Sequence, residues 1–158
     1  MNLPDKMSVV EAIMATVEAE LTGVAAMAEM ARDEATSEET KAEGKYDTRA
    51  TEASYLARGQ AWRVAELQSL RAWLATTVAT RPCTLVRVGA LLQIDGARQE
   101  LLYVAPVGGA TTVFGGQTVR VISLQSPLGA AMVELEAEDA FEVETPRGAL
   151  AYEITAIV

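Results

Sequence analysis

The chain has 158 residues, half of them apolar, which is enough for one ordinary domain or two small domains with a packed core. Its 22 acidic and 13 basic side chains give a net charge of -9, which argues against binding to a nucleic-acid backbone as the main activity and favours a basic partner. The chain contains no His, so hydrolase triads and zinc sites are disfavoured.

Cysteine content and hydropathy indicate the compartment. Cys83 is the single cysteine, so no intrachain disulfide forms and a reducing compartment is expected. Without a His to activate its thiol, Cys83 is predicted to be a small buried residue and not a nucleophile. No basic patch followed by an apolar run opens the chain, and no stretch approaches the roughly 20 apolar residues that span a bilayer. We therefore expect a cytoplasmic protein with no membrane partner.

The first periodic segment predicts a long helix. Ser8 is expected to cap it, with Glu11 three residues later completing a capping box. Apolar residues follow at spacings of three and four, namely Val10, Ile13, Val17, Leu21, Val24, Met27, Ala28, Ala31 and Ala35. Because this stripe thins to alanine while carboxylates continue, the far end of the helix is predicted to be a polar rod.

A second periodic segment predicts a second helix that ends before Arg81-Pro82. Its stripe is Leu56, Val64, Leu67, Leu70, Leu74 and Val78. A reversal near Gly44 makes two arms of about 35 residues, each roughly 50 Å long, as an antiparallel hairpin requires. Trp62 and Trp73 are expected to pack against the rest of the protein, and Gly59 is expected to allow close helix packing or a kink. Tyr46 and Tyr55 are expected to cover the hairpin end.

After Pro82 the pattern changes to short runs rich in Val, Leu and Thr, separated by glycines, which predicts strands. The predicted strands are 84–88, 90–94, 101–107, 111–114, 118–124, 140–145 and 150–158, with a short helix over 128–135. The fold class is therefore α+β, with a helical hairpin over residues 1–81 and a small β-rich domain over residues 82–158.

Charge is concentrated at the far end of the hairpin. Residues 29–52 hold eight carboxylates and four cations, whereas residues 53–81 hold one carboxylate, Glu66, and four arginines. A solvated helical rod is one interpretation of this pattern. The other is that the tip, near residues 43–52, presents oxygen ligands for Mg²⁺. Because so narrow a rod cannot complete a site, the ion would be shared with another protein, where it would polarise an attacking water.

Two C-terminal motifs carry a resemblance to a known family. They are Ser126-Pro-Leu-Gly-Ala-Ala-Met-Val133 and Asp139-Ala-Phe-Glu-Val-Glu-Thr-Pro-Arg-Gly-Ala-Leu-Ala-Tyr-Glu-Ile154. Together with the preceding hairpin, they resemble the bacterial GreA/GreB transcript-cleavage factors, over about residues 8–158. The family usually has glycines at the positions of Glu134 and Glu138, so the local turn is expected to differ.

The resemblance implies a function. The hairpin would enter the secondary channel of bacterial RNA polymerase, and an FKBP-like C-terminal domain would dock at the channel mouth through Ser126, Pro127, Leu128 and Gly129. The chain would be a monomeric accessory factor and not an enzyme, and it would not bind free nucleic acid. It would stimulate cleavage of backtracked transcripts with Mg²⁺ shared with the polymerase.

The tip departs from the family pattern Gly-Asp-Leu-x-Glu-Asn-Ala-Glu-Tyr. When Glu52-Ala-Ser-Tyr55 is aligned with its last four residues, the two acidic positions become Thr48 and Thr51. The carboxylates nearest the reversal are then Asp47 and Glu43, the expected metal ligands, with Glu52 behind them. Two alternatives stay open: a channel-binding inhibitor without cleavage activity, and a coiled-coil adaptor unrelated to the polymerase.

Overall fold

The computed structural model describes the backbone of residues 2–36 and 49–158, and side chains of residues 2–33, 52 and 55–158. Helix α1 spans Lys6–Thr36 and helix α2 spans Arg49–Leu74, followed by a short 3-10 helix, Thr77–Thr80. Six strands and one short helix follow: β1 Leu91–Asp95, β2 Gln99–Val104, β3 Thr111–Phe114, β4 Gln117–Ile122, α3 Pro127–Met132, β5 Ala140–Thr145 and β6 Gly148–Ile157. The predicted α+β class is confirmed. The expected reversal near Gly44 lies outside the described residues.

The cap of α1 is Asp5, and the prediction of Ser8 was wrong. The Asp5 carboxylate accepts hydrogen bonds from the Ser8 backbone N–H at 2.9 Å and from the Ser8 hydroxyl at 2.7 Å. These two bonds hold the pKa of Asp5 below its usual value. Ser8 is therefore the third residue of the helix, and its hydroxyl helps to orient the capping carboxylate.

The two helices run antiparallel and share a buried seam near the sheet. Val10, Ile13 and Val17 of α1 are buried together with Leu67, Leu70 and Leu74 of α2. Ion pairs join the helices at Glu20–Arg63, 2.9 Å, and Glu18–Arg71, 3.3 Å. Helix α2 ends at Leu74, so Val78, which the stripe included, lies in the 3-10 helix and is partly exposed.

The six strands form one sheet in the order β3-β4-β2-β1-β6-β5. All neighbours pair antiparallel except β2 and β4, which pair parallel, and a register shift interrupts the β1–β6 ladder between Gln93 and Ile94. One face of the sheet packs against the bases of α1 and α2, and the other face packs against α3. The sheet therefore separates two hydrophobic cores.

Residues 84–88 were predicted to be a strand, and this prediction was wrong. The segment consists of bends and a turn. Its central residue, Val86, exchanges two backbone hydrogen bonds with the turn after α3, donating to Leu135 O and accepting from Glu134 N, both at 2.9 Å. Because these bonds satisfy the peptide groups of Val86, the buried residue ties the loop to the turn after α3 without a strand ladder.

Specific contacts fasten the hairpin to the sheet domain. Lys6 is buried, and its ammonium donates to Arg81 O, to Val158 O at 2.9 Å, and to the Cys83 thiol at 3.7 Å. Burial lowers the pKa of Lys6. The Tyr103 hydroxyl donates to Ala79 O at 2.8 Å, and its ring lies 6.0 Å from that of Trp73. The predictions that Cys83 is buried and that Trp73 packs against the rest of the protein are confirmed.

Candidate functional site: the hairpin tip and the α3 groove

The apolar seam of the hairpin ends well before the described ends of its arms. Met27 and Met30 of α1 and Leu56 of α2 are all more than half exposed, although Met27 and Leu56 belong to the predicted stripes. Trp62 is 72% exposed, so the prediction that it packs against the protein was wrong. The distal parts of both arms therefore project beyond the hydrophobic core.

The predicted tip ligands are only partly within the described structure. Glu52 lies in the first turn of α2 and is exposed. Glu43, Asp47 and Thr48 lie outside the described residues, and so does the side chain of Thr51. Across the described part of the chain no group of three or more His, Cys, Asp or Glu side chains could hold a metal ion. Glu52 alone therefore supplies one oxygen ligand and makes no complete Mg²⁺ site there.

Tyr55 lies one turn beyond Glu52. Its ring is 66% exposed, and the Arg58 guanidinium lies over it, 5.8 Å from the ring centroid. Tyr46, the other tyrosine expected near the hairpin end, lies outside the described residues. Tyr55 thus presents an aromatic surface to solvent beside a cation.

The predicted docking segment forms the start of α3. The Ser126 hydroxyl accepts a hydrogen bond from Gly129 N at 3.1 Å and donates to Ser123 O at 2.7 Å, so it caps the helix. Pro127 occupies the first turn, where no backbone N–H is required, and Leu128 packs against the core beneath α3. A Cβ atom at Gly129 would lie 2.1 Å from Ser123 O. The four residues, Ser126 to Gly129, therefore shape this part of the domain, called here the α3 corner. Their docking role stays a prediction.

An open groove of about 800 Å³ runs past this corner. Ser126, Pro127 and Leu128 line it on one side and Val143, Leu150 and Tyr152 of the β5–β6 hairpin line it on another. Gly108, Gly109 and Glu66 line the end of the groove that is nearest to helix α2. The groove therefore brings three of the four predicted docking residues together with the base of α2.

Charged side chains on β2 and β4 line the same groove. Glu100 accepts a hydrogen bond from Arg120 and a weaker one from Arg98 at 3.4 Å, and its side chain is only 12% exposed. Glu100 and Arg120 were not among the residues predicted from the sequence. Side chains alternate between the two faces of a strand, so Glu100 and Arg120 lie on the face that also carries Leu102 and Ile122. This alternation in the sequence could have indicated that the two charged residues lie together.

The turn between α3 and β5 keeps a glycine-like backbone although it contains no glycine. Glu134 and Glu138 have φ values of 63° and 76°, in the left-handed region. Their N–H groups donate to Val86 O at 2.9 Å and to Ile154 O at 2.7 Å, which holds both residues in place. These two non-glycine residues therefore hold strained φ values, and the expected difference between this turn and the family's turn stays a prediction.

Among known proteins, one family is similar to the C-terminal part of the chain. Residues 112–158 match the family described as "Transcription elongation factor, GreA/GreB, C-term". None of the curated proteins matches the chain significantly.

Several solved structures are similar to the chain at low identity. The structure titled "Structure of the transcription factor Gfh1" is 15% identical, with 97% of this chain and 93% of that chain covered and a TM-score of 0.39. Gfh1 of Thermus aquaticus is 17% identical, with 93% and 94% covered and a TM-score of 0.38. GreA/GreB from Nitrosomonas europaea is 23% identical, with 58% and 78% covered and a TM-score of 0.36.

The family match begins at Thr112, where the sheet domain contacts the hairpin. Thr112 and Thr16 of α1 are joined by a hydrogen bond of 2.7 Å between their hydroxyls. The match contains the α3 corner, the β5–β6 hairpin and both left-handed glutamates. Among the described helices none is long and apolar enough to cross a membrane. Residues 112–158 are therefore similar to the C-terminal part of the GreA/GreB transcription elongation factors.

Proposed function

We propose that the chain is an accessory factor of bacterial RNA polymerase that inserts its helical hairpin into the secondary channel and stimulates cleavage of backtracked transcripts. The observation that carries this proposal is the GreA/GreB match of residues 112–158, located on the domain from which the hairpin projects. The channel mouth would receive the α3 corner, and the distal arms would extend toward the polymerase active site.

The chain's own contribution to cleavage would be made by carboxylates at the tip. Glu43, Asp47 and Glu52 are the candidates, and the polymerase would supply the remaining ligands of a shared Mg²⁺. A second ion bound in this way would lower the free energy of forming the attacking hydroxide. Since the metal acts mainly in the transition state, a lost ligand would reduce the cleavage rate far more than the affinity for the polymerase.

A second candidate function is inhibition of the polymerase by occupying the channel. The specific observation that favours it is the pair Thr48 and Thr51, which occupy the positions where the family pattern has its acidic residues. A hydroxyl is a weaker ligand for Mg²⁺ than a carboxylate, so a tip that depended on these two positions would not retain the ion.

Cleavage of RNA in stalled, backtracked complexes separates the two functions. The purified chain is expected to accelerate cleavage, and Asp47→Asn, Glu43→Gln and Glu52→Gln are the informative variants because they preserve shape and remove charge. Glu11→Gln, an exposed residue near the opposite end of α1, is the matched control. If the parent chain blocks elongation without accelerating cleavage, the inhibitor function replaces the proposed one.

A further inference from the structure

Each arm of the hairpin carries an exposed apolar face with a glycine in it. On α1, Gly23, Met27 and Met30 are spaced i, i+4 and i+7, and both methionine side chains are more than 60% exposed. On α2, Tyr55, Gly59 and Trp62 have the same spacing, and both aromatic side chains are at least 66% exposed. At about 3.6 residues per turn, each set of three lies on one side of its helix.

The exposed apolar faces of α1 and α2 lie on the same side of the helical hairpin. Glu20 lies three residues before Gly23, and Glu66 lies four residues after Trp62, so each glutamate shares a face with one set. Arg63 bonds both of them, at 2.9 Å to Glu20 and 3.5 Å to Glu66. Because one guanidinium reaches both glutamates, the six residues form a single strip, called here the hairpin strip: Gly23, Met27, Met30, Tyr55, Gly59 and Trp62.

The two glycines leave gaps in the hairpin strip that no contact within the described chain explains. A Cβ atom built at Gly23 or Gly59 would meet nothing within 4 Å. Gly59 was expected to allow close helix packing or a kink, and no described residue packs closely against it. Glycine in a helix interior lowers stability relative to alanine. The gap between Tyr55 and Trp62 is therefore open to a side chain from another molecule.

The hairpin strip leads into the groove beside α3. The Arg63 guanidinium lies 3.5 Å from the Cβ position of Gly109, and Gly109 and Glu66 both line the groove. A surface that follows one side of the arm would reach the α3 corner without interruption. Such continuity is what a single large partner requires, since it would contact the arm and the sheet domain together.

Charge and composition favour a protein partner over a nucleic acid. Arg63 is neutralised by its two glutamates, and among the described side chains Arg58 is the other cation near the hairpin strip. Glu52 lies seven residues before Gly59 on the same face. With a net charge of -9 on the whole chain, phosphates are repelled and basic side chains are attracted. Methionine, tryptophan and tyrosine are also the residue types enriched in protein interfaces.

We propose that the hairpin strip is the surface through which RNA polymerase binds the arm. The facing wall of the polymerase presents an apolar side chain, bordered by Lys or Arg, to the gap at Gly59. This inference rests on the proposed function and adds to it a specific side of the arm. The opposite side, which carries Glu18 and Arg71, would then face away from the principal contact.

The test measures the affinity of the full chain for purified bacterial core RNA polymerase. Trp62→Glu and Met27→Glu place a charge in the hairpin strip, and Gly59→Leu fills the gap while favouring the helix. Ala61→Glu and Ala25→Glu are matched controls, because these exposed alanines lie on the Glu18–Arg71 side. Each strip variant is expected to weaken binding at least tenfold, whereas each control stays within threefold of the parent.

The possible outcomes separate this inference from the proposed function. If the parent binds and the strip variants bind equally well, the assignment of the hairpin strip is wrong and the polymerase function stands. If the parent does not bind the polymerase, the proposed function is itself wrong. A parallel titration with labelled single-stranded RNA covers the other class of partner. RNA binding that is lost in Trp62→Glu would overturn the protein-partner assignment.

Discussion

The ammonium of Lys6 lies 2.9 Å from the carbonyl oxygen of Val158, so the first residue of α1 is hydrogen bonded to the residue that follows β6. The same ammonium donates to Arg81 O in the connection between the hairpin and the sheet. Three segments distant in sequence thus meet at one buried cation. This contact fixes the base of the hairpin against the domain that carries the GreA/GreB match.

Lys6→Met keeps most of the aliphatic chain and removes the donors to both carbonyl groups. We expect it to lower the free energy of unfolding by about 2–3 kcal/mol, because two partly buried carbonyl groups lose a charged hydrogen-bond partner. Urea denaturation measures the change. The control is Arg98→Met, which removes an exposed cation and should change stability by less than about 0.5 kcal/mol. Equal effects of the two substitutions would contradict the role given to Lys6.

Glu134→Gly and Glu138→Gly should each raise stability by about 0.5–1 kcal/mol. Both glutamates have positive φ values, where a Cβ atom is strained and glycine is not. Thermal unfolding of the single variants tests this prediction. Glu136→Gly, in the same turn but without a positive φ, is the control and should not stabilise the protein. Loss of stability in all three variants would show that the strain is absent.

Alanine should have opposite effects at two helix glycines. Gly59→Ala is expected to stabilise α2 by about 1 kcal/mol, since its Cβ atom meets open space in a helix interior. Gly129→Ala is expected to destabilise the protein by about 2–4 kcal/mol, because the new Cβ atom would lie 2.1 Å from Ser123 O. Chemical denaturation of the two variants side by side checks both signs. A stable Gly129→Ala protein would contradict the close approach at the α3 corner.

Ionisation of the buried Tyr103 hydroxyl should make the protein less stable in alkali. Burial raises the pKa of its hydroxyl above the ordinary value of 10. The folded state therefore holds the proton more tightly than the unfolded state, so this stabilisation is complete below pH 10 and is lost as the pH rises further. Tyr103→Phe should cost about 1 kcal/mol at pH 7 through the lost bond to Ala79 O, and its unfolding free energy should fall less steeply above pH 10. Parallel pH dependences of the two proteins would refute this prediction.

Local patterns predicted much of the fold. The 3.6-residue periodicity indicated both helices, and the Ser126-Pro127 pair indicated the start of α3, because capping and proline geometry act within one turn. The short helix ends at Met132 and not at 135, since Val86 binds the following turn. That pairing also explains why residues 84–88 are not a strand. Its partners lie about 50 residues away, which a local pattern does not report.

Burial depended on tertiary contacts that residue types do not specify. Lys6 is buried because two carbonyl groups and a thiol converge on it, although lysine is ordinarily a surface residue. Trp62 is exposed because the shared seam ends near Val17 and Leu67, below its position on α2. The sequence shows directly that the tip is acidic. The spatial arrangement of Glu43, Asp47 and Glu52 could not be predicted, because it depends on tertiary contacts.

Insertion of the hairpin into the polymerase channel is the central claim, and site-specific crosslinking tests it most directly. A photoreactive amino acid at position 48, in the predicted tip, would be activated in the complex with core RNA polymerase, and the crosslinked polymerase peptides would be identified by mass spectrometry. We predict crosslinks to the polymerase segment that binds the catalytic Mg²⁺, and none to that segment from a probe at position 147 in the β5–β6 turn. Crosslinks from position 48 only to the outer surface of the polymerase would contradict insertion.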